Sequence, residues 1–497
     1  MTKLSAWRKA GAVLLLWAAT TVATTAQTLT TVVDFDGANG SNPLYGSLAQ
    51  GADGSLYGTT YTGGKSDDGT VFKITKDGVL GTLYTFCSLP NCSDGSFPTA
   101  GLVLGTDGNF YGTASYGGDL TCSPPLGCGT VFRITPGGEL TTLYSFCAQP
   151  NCTDGYTPVA GLVQGTDGNL YGTTQNGGAS FNGCTIDSAG CGTAFKITPD
   201  GVLTMLYSFC AQSNCTDGAN PDGRLIQGSD GNFYGTTWRG GANGVGTVFR
   251  LSPAEGTLAT LHSFDGSDGT NPVAGLVQAT DGNFYGTTEG GGSLTCSAGC
   301  GTVFKMNAGG KLTTLYSFCI QTNCTDGYTP MAGLVQGTDG NFYGTTGNGG
   351  MSDYGTIFEI TPGGALTTLY SFCTQTNCTD GATPYGGLVE GTNGTLYGST
   401  FYGGVDSDGT VFSLSKGLGP FVIFVRAAGK VGEMGPILGQ GFTGTTSVAI
   451  NGIPADFTVI SDTDIRATVP AGATTGYVTV TTPSGTLTSN VPFHVIP

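Results

Sequence analysis

Short apolar strands separated by glycine-rich turns recur along the chain at intervals of 51 to 63 residues. In one copy, residues 161–174 combine an apolar run, an Asp-Gly turn and the sequence Leu-Tyr-Gly-Thr-Thr. Two more strand-like segments follow, Gly-Thr-Ala-Phe-Lys-Ile at 192–197 and Leu-Tyr-Ser-Phe at 206–209. An Asp-Gly pair between apolar runs predicts a hairpin, and apolar residues on both strand faces predict a sheet covered on both sides. The second strand of each unit contains one tyrosine of the series Tyr57, Tyr111, Tyr171, Tyr234, Tyr285, Tyr343 and Tyr397.

Seven such units predict an all-β fold, a seven-bladed β-propeller of four-stranded blades. The seventh unit lacks a fourth strand after Phe412, while the segment from Leu29 to Phe35 near the N-terminus has the fourth-strand pattern. We therefore expect this N-terminal strand to complete the last blade and close the ring. An open solenoid is the alternative, and it would leave exposed sheet edges.

The predicted blade connections fall into two groups. Tight Asp-Gly and Pro-Gly turns join the first strand to the second and the third to the fourth, so they should line one face of the propeller. The loops from the second strand to the third, together with the blade-to-blade loops, should line the opposite face. Because binding residues concentrate on long loops held by a rigid scaffold, we expect function on that second face.

The N-terminal residues 1–26 have the pattern of a secretory signal peptide. Lys3, Arg8 and Lys9 precede an apolar core, and Thr-Thr-Ala at 24–26 offers a cleavage site. No later segment has the roughly 20 apolar residues that a membrane-spanning helix needs. We expect a mature protein that begins near Gln27, does not insert into a membrane, and is secreted or held at the cell surface or in the periplasm.

The cysteine pattern agrees with export. All 16 cysteines occur in close pairs, which favours local disulfides over zinc, because the chain has only 2 histidines and the pairs would lie on separate units. The expected pairs are Cys87–Cys92, Cys122–Cys128, Cys147–Cys152, Cys184–Cys191, Cys210–Cys215, Cys296–Cys300, Cys319–Cys324 and Cys373–Cys378.

Composition narrows the range of partners. The 497 residues include 88 glycines and carry a formal net charge of −17, with only 10% charged residues. The high glycine content does not indicate disorder, because 38% of the residues are hydrophobic and lie in regular runs. An acidic chain with scattered Lys and Arg cannot neutralise phosphates, so nucleic acid is not an expected partner.

The repeated motifs Leu-Tyr-Gly-Thr-Thr, Gly-Thr-Val-Phe-Lys-Ile and Leu-Tyr-Ser-Phe resemble the GloVer tandem-repeat family of exported bacterial proteins, over about residues 28–416. That resemblance implies an extracytoplasmic location and no settled activity. Beyond it, Gly-Gln-Gly-Phe at 439–442 and Gly-Tyr-Val-Thr-Val at 476–480 resemble an IPT/TIG domain, which implies an immunoglobulin-like β-sandwich. The predicted organisation is a signal peptide at 1–26, a propeller at 27–416, a linker at 417–420 and an IPT/TIG domain at 421–497.

Candidate binding residues lie where the units differ most. Two positions between the second strand and a Gly-Gly pair change in every unit while the surrounding frame stays constant. Exposed aromatic and arginine side chains there suit stacking on sugar rings or anchoring a protein. The other interpretation is that these side chains are plugs between blades. The candidates are Tyr61, Tyr116, Trp238, Arg239, Phe401 and Tyr402.

A second repeated feature is an acidic residue before glycine in the blade-to-blade loops: Asp94, Asp154, Asp217, Asp268, Asp326 and Asp380, with Asn39 in the seventh place. These carboxylates could ligate calcium, but an Asp before Gly more often caps its own turn. We expect no cofactor and no metal, with calcium the one cation left open.

Signals of catalysis are few, so the question of an enzyme stays open, with a non-enzyme favoured and no catalytic residue assigned. His262 replaces the tyrosine of a fourth strand, and we expect it and His494 to be structural. The favoured hypothesis is an exported binding or adhesion protein that holds an extracellular glycan or protein on its long-loop face. The alternatives are a polysaccharide lyase or glycoside hydrolase with an axial active site, and a structural envelope protein.

Overall fold

The computed structural model describes residues 27–120, 122, 124–179 and 190–496. These residues form β-strands, turns and five short 3₁₀ helices, at Pro90–Cys92, Pro150–Cys152, Ser213–Cys215, Thr322–Cys324 and Thr376–Cys378. The expected export signal at 1–26 and Cys184 lie outside the described residues.

The described chain contains seven four-stranded antiparallel sheets that form the blades of a propeller. The N-terminal strand is β1 (Thr28–Asp34). Blades one to three are β2 (Ala49–Gln50), β3 (Leu56–Thr60), β4 (Thr70–Ile74) and β5 (Leu80–Thr85); β6 (Val103–Leu104), β7 (Phe110–Ala114), β8 (Thr130–Ile134) and β9 (Leu140–Ser145); and β10 (Val163–Gln164), β11 (Leu170–Thr174), β12 (Thr193–Ile197) and β13 (Leu203–Ser208).

The remaining blades repeat this arrangement. They are β14 (Ile226–Gln227), β15 (Phe233–Thr237), β16 (Thr247–Ser252) and β17 (Thr257–Ser263); β18 (Val277–Gln278), β19 (Phe284–Thr288), β20 (Thr302–Met306) and β21 (Leu312–Ser317); β22 (Val335–Gln336), β23 (Phe342–Thr346), β24 (Thr356–Ile360) and β25 (Leu366–Ser371); and β26 (Val389–Glu390), β27 (Thr395–Thr400) and β28 (Thr410–Ser415).

The ring closes through β1, as the sequence pattern predicts. β1 pairs antiparallel with β28, and the register places Val33 opposite Val411 and Asp34 opposite Thr410. The seventh blade therefore has the order β1-β28-β27-β26, and the two ends of the propeller chain share one sheet. This confirms the closed seven-bladed fold and rules out the open solenoid.

Adjacent blades are joined by aromatic side chains on both sheet faces. The Tyr57 ring of blade one lies 4.2 Å from the Phe110 ring of blade two, centroid to centroid. Phe86 of the same blade packs edge-on at 5.2 Å against Phe132. The glycine after each second-strand tyrosine makes room for the phenylalanine of the third strand, because a Cβ on Gly112 would lie 2.5 Å from Cζ of Phe132.

The chain after Ser415 forms a separate β-sandwich. Its strands are β29 (Ile423–Phe424), β30 (Ala428–Lys430), β31 (Met434–Leu438), β32 (Ser447–Ile450), β33 (Ile453–Pro454), β34 (Phe457–Ser461), β35 (Asp464–Thr468), β36 (Val478–Thr482), β37 (Gly485–Thr488) and β38 (His494–Ile496). Two four-stranded sheets, β29-β31-β35-β34 and β33-β32-β36-β37, enclose a core that includes Phe442, Ile465 and Val480.

The sandwich packs directly on the tight-turn face of the propeller, the face formed by the turns between first and second strands. Thr463 Oγ1 donates to the Ala52 carbonyl at 2.7 Å, and Arg426 Nη1 donates to the Thr166 carbonyl at 2.9 Å. Leu438 joins an apolar cluster with propeller side chains that include Leu104. The C-terminal domain is therefore a fixed base for the propeller, and it leaves the opposite, long-loop face uncovered by these contacts.

Candidate functional site

A cavity of about 180 Å³ lies where the innermost strands of the blades converge. In every blade a leucine precedes the inner strand, and the residue before that leucine lines the cavity. This residue is glycine or serine in six blades and arginine in one: Ser47, Gly101, Gly161, Arg224, Gly275, Gly333 and Gly387. Threonines of neighbouring second strands hold this ring in place, for example Thr59 Oγ1, which donates to the Ala100 carbonyl at 2.8 Å. The small residues leave the propeller axis open.

An aromatic arc borders the cavity on the long-loop face. Tyr45 lines the cavity and its ring lies 6.3 Å from that of Tyr385. Phe401 follows at 5.6 Å from Tyr385, and Tyr402 at 4.5 Å from Phe401. Gly347 makes room for this arc, because a Cβ there would lie 2.7 Å from Cε1 of Tyr385. Tyr45 and Tyr402 are 43% and 51% exposed, so the arc presents ring surface to a ligand.

Two further candidates are brought together by a residue that the sequence patterns did not single out. Phe97 lies between Tyr61, at 5.2 Å, and Tyr116, at 6.0 Å. Phe97 has φ of +53°, in a loop position where other blades have Asn or Thr. A bulky residue in the left-handed region is uncommon, and its cost is tolerated where the side chain has a particular use.

Trp238 and Arg239 form a local pair rather than an open stacking platform. The guanidinium carbon of Arg239 lies 4.1 Å from the centroid of the Trp238 ring and covers one of its faces. Such a cation–π contact favours a fixed geometry for both side chains. One face of the indole is therefore occupied, and the Tyr45–Tyr402 arc offers more open ring surface than Trp238.

Two carboxyl groups stand beside the arc, Asp222 and Glu289. The pKa of Asp222 is raised to about 7, mainly by burial and also by the charge of Glu289, while the hydrogen bond from Gln175 and the charge of Arg239 partly oppose this change. The Gln175 amide donates to Asp222 Oδ1 at 2.9 Å. Burial also raises the pKa of Glu289.

The Tyr45 hydroxyl responds to the same surroundings. Burial, followed by the charges of Asp222 and Glu289, raises the pKa of Tyr45 to about 12. The phenol is therefore protonated at neutral pH and available as a hydrogen-bond donor. The mouth of the cavity thus combines aromatic surface with titratable oxygen groups.

The structure shows what the acidic ring of the blade-to-blade loops does. Asp94 Oδ2 accepts from the Tyr84 hydroxyl and from the Ser88 amide, both at 2.8 Å. The same tyrosine hydroxyl bond occurs at Asp154, Asp217, Asp326 and Asp380. These buried carboxylates cap their own loops, so their oxygens are engaged by the protein.

His262 fits the same scheme. It occupies the fourth-strand position of the tyrosine, and its Nε2 lies 2.6 Å from Oδ2 of Asp268. The histidine thus supplies the contact that tyrosine makes in five other blades, which is the structural role expected for it.

Seven of the eight expected disulfides are present among the described residues: Cys87–Cys92, Cys122–Cys128, Cys147–Cys152, Cys210–Cys215, Cys296–Cys300, Cys319–Cys324 and Cys373–Cys378. The eighth pair includes Cys184, which lies outside those residues. Disulfides at this density are typical of proteins that fold in an oxidising compartment outside the cytoplasm.

The structure shows where the six candidate binding residues lie, and their role in binding stays a prediction. Tyr61, Tyr116, Phe401 and Tyr402 lie in two aromatic groups, and Trp238 and Arg239 form a pair. The sequence patterns did not single out Tyr45, Phe97, Asp222, Arg224 or Tyr385. The available signal was the departure of single units from the repeat consensus in the segment before each inner strand, where Arg224 is the one charged residue among seven equivalent positions.

Comparisons with known proteins agree with this architecture. The model of the Gloeobacter/Verrucomicrobia repeat matches residues 18–186 and 185–412, and that of the IPT/TIG domain matches residues 427–495. No sequence among curated proteins matches the chain.

Solved structures resemble the fold at low sequence identity. The extracellular domain of the hybrid two component system BT4673 from B. thetaiotaomicron is 11% identical with a TM-score of 0.50, over 92% of this chain and 46% of that one. The chain therefore spans about half the length of that relative. Oligogalacturonate lyase from Vibrio parahaemolyticus is 9% identical with a TM-score of 0.43, over 78% of this chain and 97% of that one. At these identities the likeness shows the fold alone.

In the described part of the chain, no helix has both the length and the apolar character required to cross a membrane.

Proposed function

The chain belongs to the Gloeobacter/Verrucomicrobia repeat family and carries an IPT/TIG domain, and from this premise we propose that it is an exported binding protein. In this proposal the long-loop face holds a glycan at the mouth of the axial cavity, and the protein is secreted or displayed at the cell surface. The C-terminal domain acts as the base that carries the propeller.

The observation that carries the proposal is the aromatic arc beside an open cavity. Tyr45, Tyr385, Phe401 and Tyr402 follow one another at ring distances of 4.5 to 6.3 Å. Aromatic rings with polar tips combine a large apolar contact with hydrogen bonding, which suits the apolar face and hydroxyl groups of a sugar. A concave site with a few convergent polar groups is also the usual form of a small-ligand site.

A glycan fits this surface better than a protein partner does. Stable protein interfaces bury about 800 Å² on each side, with anchors in the centre of a broad patch. Here the exposed rings converge on a cavity of about 180 Å³, which favours a narrow chain or a single sugar unit. A protein ligand is the alternative, and an array without any positive glycan would favour it.

The experiment is a glycan array on the purified mature protein, followed by titration of each positive glycan with variants. Tyr385→Ala should weaken binding about 2- to 10-fold, since an aromatic contact contributes about 0.5–1.5 kcal/mol. Trp238→Ala should have a smaller effect, because Arg239 covers one face of its ring. Tyr354→Ala is the matched control, since Tyr354 is 46% exposed on the same face but outside the arc. An array without any positive glycan would refute the proposal.

A second function, a polysaccharide-cleaving enzyme, is supported by one specific observation. Asp222 has a pKa raised to about 7 beside Glu289, and a proton donor with a pKa near neutrality next to another carboxyl group is a pattern found in acid–base catalysis. Incubation of each glycan bound in the array with the protein, followed by chromatography of the products, tests this function. Cleavage that Asp222→Asn abolishes would support an enzyme, and intact glycan would support the binding protein.

A further inference from the structure

We propose that the axial cavity binds a carboxylate, so that the ligand of the long-loop face is an acidic sugar whose carboxylate pairs with Arg224. This inference rests on the proposed glycan-binding function and deepens it. The aromatic arc would hold the ring of the sugar, and the guanidinium deeper in the cavity would select for the charge.

Arg224 is an exception among the seven units of the chain. At the position of Arg224, the other six units have glycine or serine. An arginine in the axial ring places a charge among backbone and small apolar groups, where desolvation opposes it. Burial indeed lowers the pKa of Arg224. Folding of the ring does not need this arginine, since six blades form the same inner strand without it.

The guanidinium of Arg224 is only partly engaged by the protein. Nε donates to the Leu162 carbonyl at 2.9 Å, which fixes the plane of the group across the neighbouring blade. Among the described residues, this is the one hydrogen bond of the Arg224 side chain, and no carboxylate forms an ion pair with it. The terminal amino groups therefore keep their donors for a ligand in the cavity that Arg224 lines. A guanidinium fork matches the two oxygens of a carboxylate.

The remaining charged and titratable groups at the mouth determine how binding depends on pH. Asp222 lines the cavity, and the charges of Glu289 and Arg239 are near enough to change its pKa; the Tyr45 and Tyr385 hydroxyls stay protonated at neutral pH. Ionised Asp222 would repel an acidic ligand, whereas protonated Asp222 would not. Because the pKa of Asp222 is raised to about 7, affinity for an acidic sugar should rise as the pH falls from 8 to 6.

The size of the cavity limits what enters it. A volume of about 180 Å³ is below the range of about 300–1,000 Å³ found for drug-sized ligands, so one ring with its carboxylate is the expected occupant. The rest of a longer glycan would lie along the aromatic arc outside.

The experiment compares oligosaccharides that end in glucuronate, in glucose and in glucose 6-phosphate, titrated calorimetrically into the mature protein. We expect the glucuronate form to bind about 10-fold or more tightly than the glucose form, the range for charge-assisted hydrogen bonds. Arg224→Gly, which introduces the residue of five other blades, should remove that preference. Arg224→Lys should restore part of it, because an ammonium supplies charge without the fork.

The outcomes separate this inference from the function on which it rests. Equal affinity for the glucuronate and glucose forms, or a preference that survives in Arg224→Gly, would overturn the carboxylate site while leaving a glycan-binding protein. Tighter binding of the phosphate form would overturn the assignment to a carboxylate. Absence of binding to any sugar would overturn both proposals. Tyr402→Ala is the control variant, and it should weaken the glucuronate and glucose forms by the same factor.

Discussion

The pH dependence of stability should be governed in part by one glutamate. It belongs to a ladder of hydrogen bonds between successive blades in which the other acceptors are glutamines. At each such junction, a side-chain oxygen on the inner strand of one blade accepts a hydrogen bond from a backbone amide in the turn of the preceding blade. For example, the Thr166 amide donates to Gln227 Oε1 at 2.9 Å. In the seventh blade the acceptor is Glu390, which accepts hydrogen bonds from the Thr338 amide at 3.0 Å and from the Thr338 hydroxyl at 2.9 Å. Glu390→Gln therefore installs the side chain used at the equivalent positions of other blades.

The magnitude follows from the pKa of Glu390. Burial, partly offset by the two bonds from Thr338, raises the pKa of Glu390 from 4.5 to about 7. Below pH 4.5 the carboxyl is protonated in both the folded and the unfolded protein, so it does not change stability. Between pH 4.5 and 7 the unfolded chain ionises first, which favours unfolding by up to about 3 kcal/mol. The glutamine cannot ionise and avoids this loss.

Thermal unfolding of the wild type and Glu390→Gln at pH 4.5 and pH 8 measures the effect. We expect nearly equal midpoints at pH 4.5 and a midpoint about 3–4 °C higher for the variant at pH 8, for a unit of several hundred residues. Gln336→Glu is the matched control, and it should introduce the same loss at pH 8 in the preceding junction. A difference that is the same at both pH values, or a variant less stable at pH 8, would refute the reasoning.

Three further predictions concern the loops, the blade packing and the domain contact. Asp94→Ala should lower the free energy of unfolding by about 3 kcal/mol, measured by urea unfolding, because it leaves the Tyr84 hydroxyl and two loop amides without their acceptor. Asp94→Asn should lower it less. Added calcium should not shift the unfolding midpoint of the wild type. Gly58→Ala should cost at least about 1–3 kcal/mol in the same assay, since its Cβ would overlap Phe72, whereas Gly81→Ala, with open space around its Cβ, should be tolerated. Leu438→Asp should detach the C-terminal domain, so that limited proteolysis cleaves between the two domains while the propeller core stays resistant; uncut protein would contradict the domain contact.

The repeat made the fold predictable from the sequence. Each unit returns the same tyrosine and phenylalanine positions, and the missing fourth strand after Phe412 pointed to β1, whose pairing with β28 the structure shows. Such inferences need only period and pattern. The site could be predicted less completely, because Tyr45, Asp222 and Tyr385 belong to different blades and meet only when the ring closes. The periodic pattern did not indicate which side chains would face the axis at that meeting point.

The position of the C-terminal domain was also beyond the sequence pattern, for a different reason. Four of its hydrogen bonds to the propeller end on backbone carbonyls, those of Ala52, Thr106, Thr166 and Thr392, and a carbonyl acceptor is available at every residue. No side-chain motif therefore marks the surface that receives the domain. The contact becomes visible only from the geometry of the turns.

One irregularity of the ladder nevertheless coincides with that surface. Six of the seven blade junctions have a Gln or Glu acceptor, and the junction between the first and second blades has Leu104 in its place. Leu104 belongs to the apolar cluster that contains Leu438 of the C-terminal domain. At the same junction, Thr463 of that domain donates to the Ala52 carbonyl.

The C-terminal domain thus contacts the junction between the first and second blades, where Leu104 replaces the hydrogen-bond acceptor of the other junctions. Loss of the domain would expose Leu104 and remove the hydrogen bond to Ala52 at that junction, so the propeller should open there before it opens elsewhere. The tight-turn face therefore contacts the C-terminal domain of the same chain. This arrangement leaves the long-loop face for the ligand that we propose, with the aromatic arc at the surface and Arg224 deeper in the cavity.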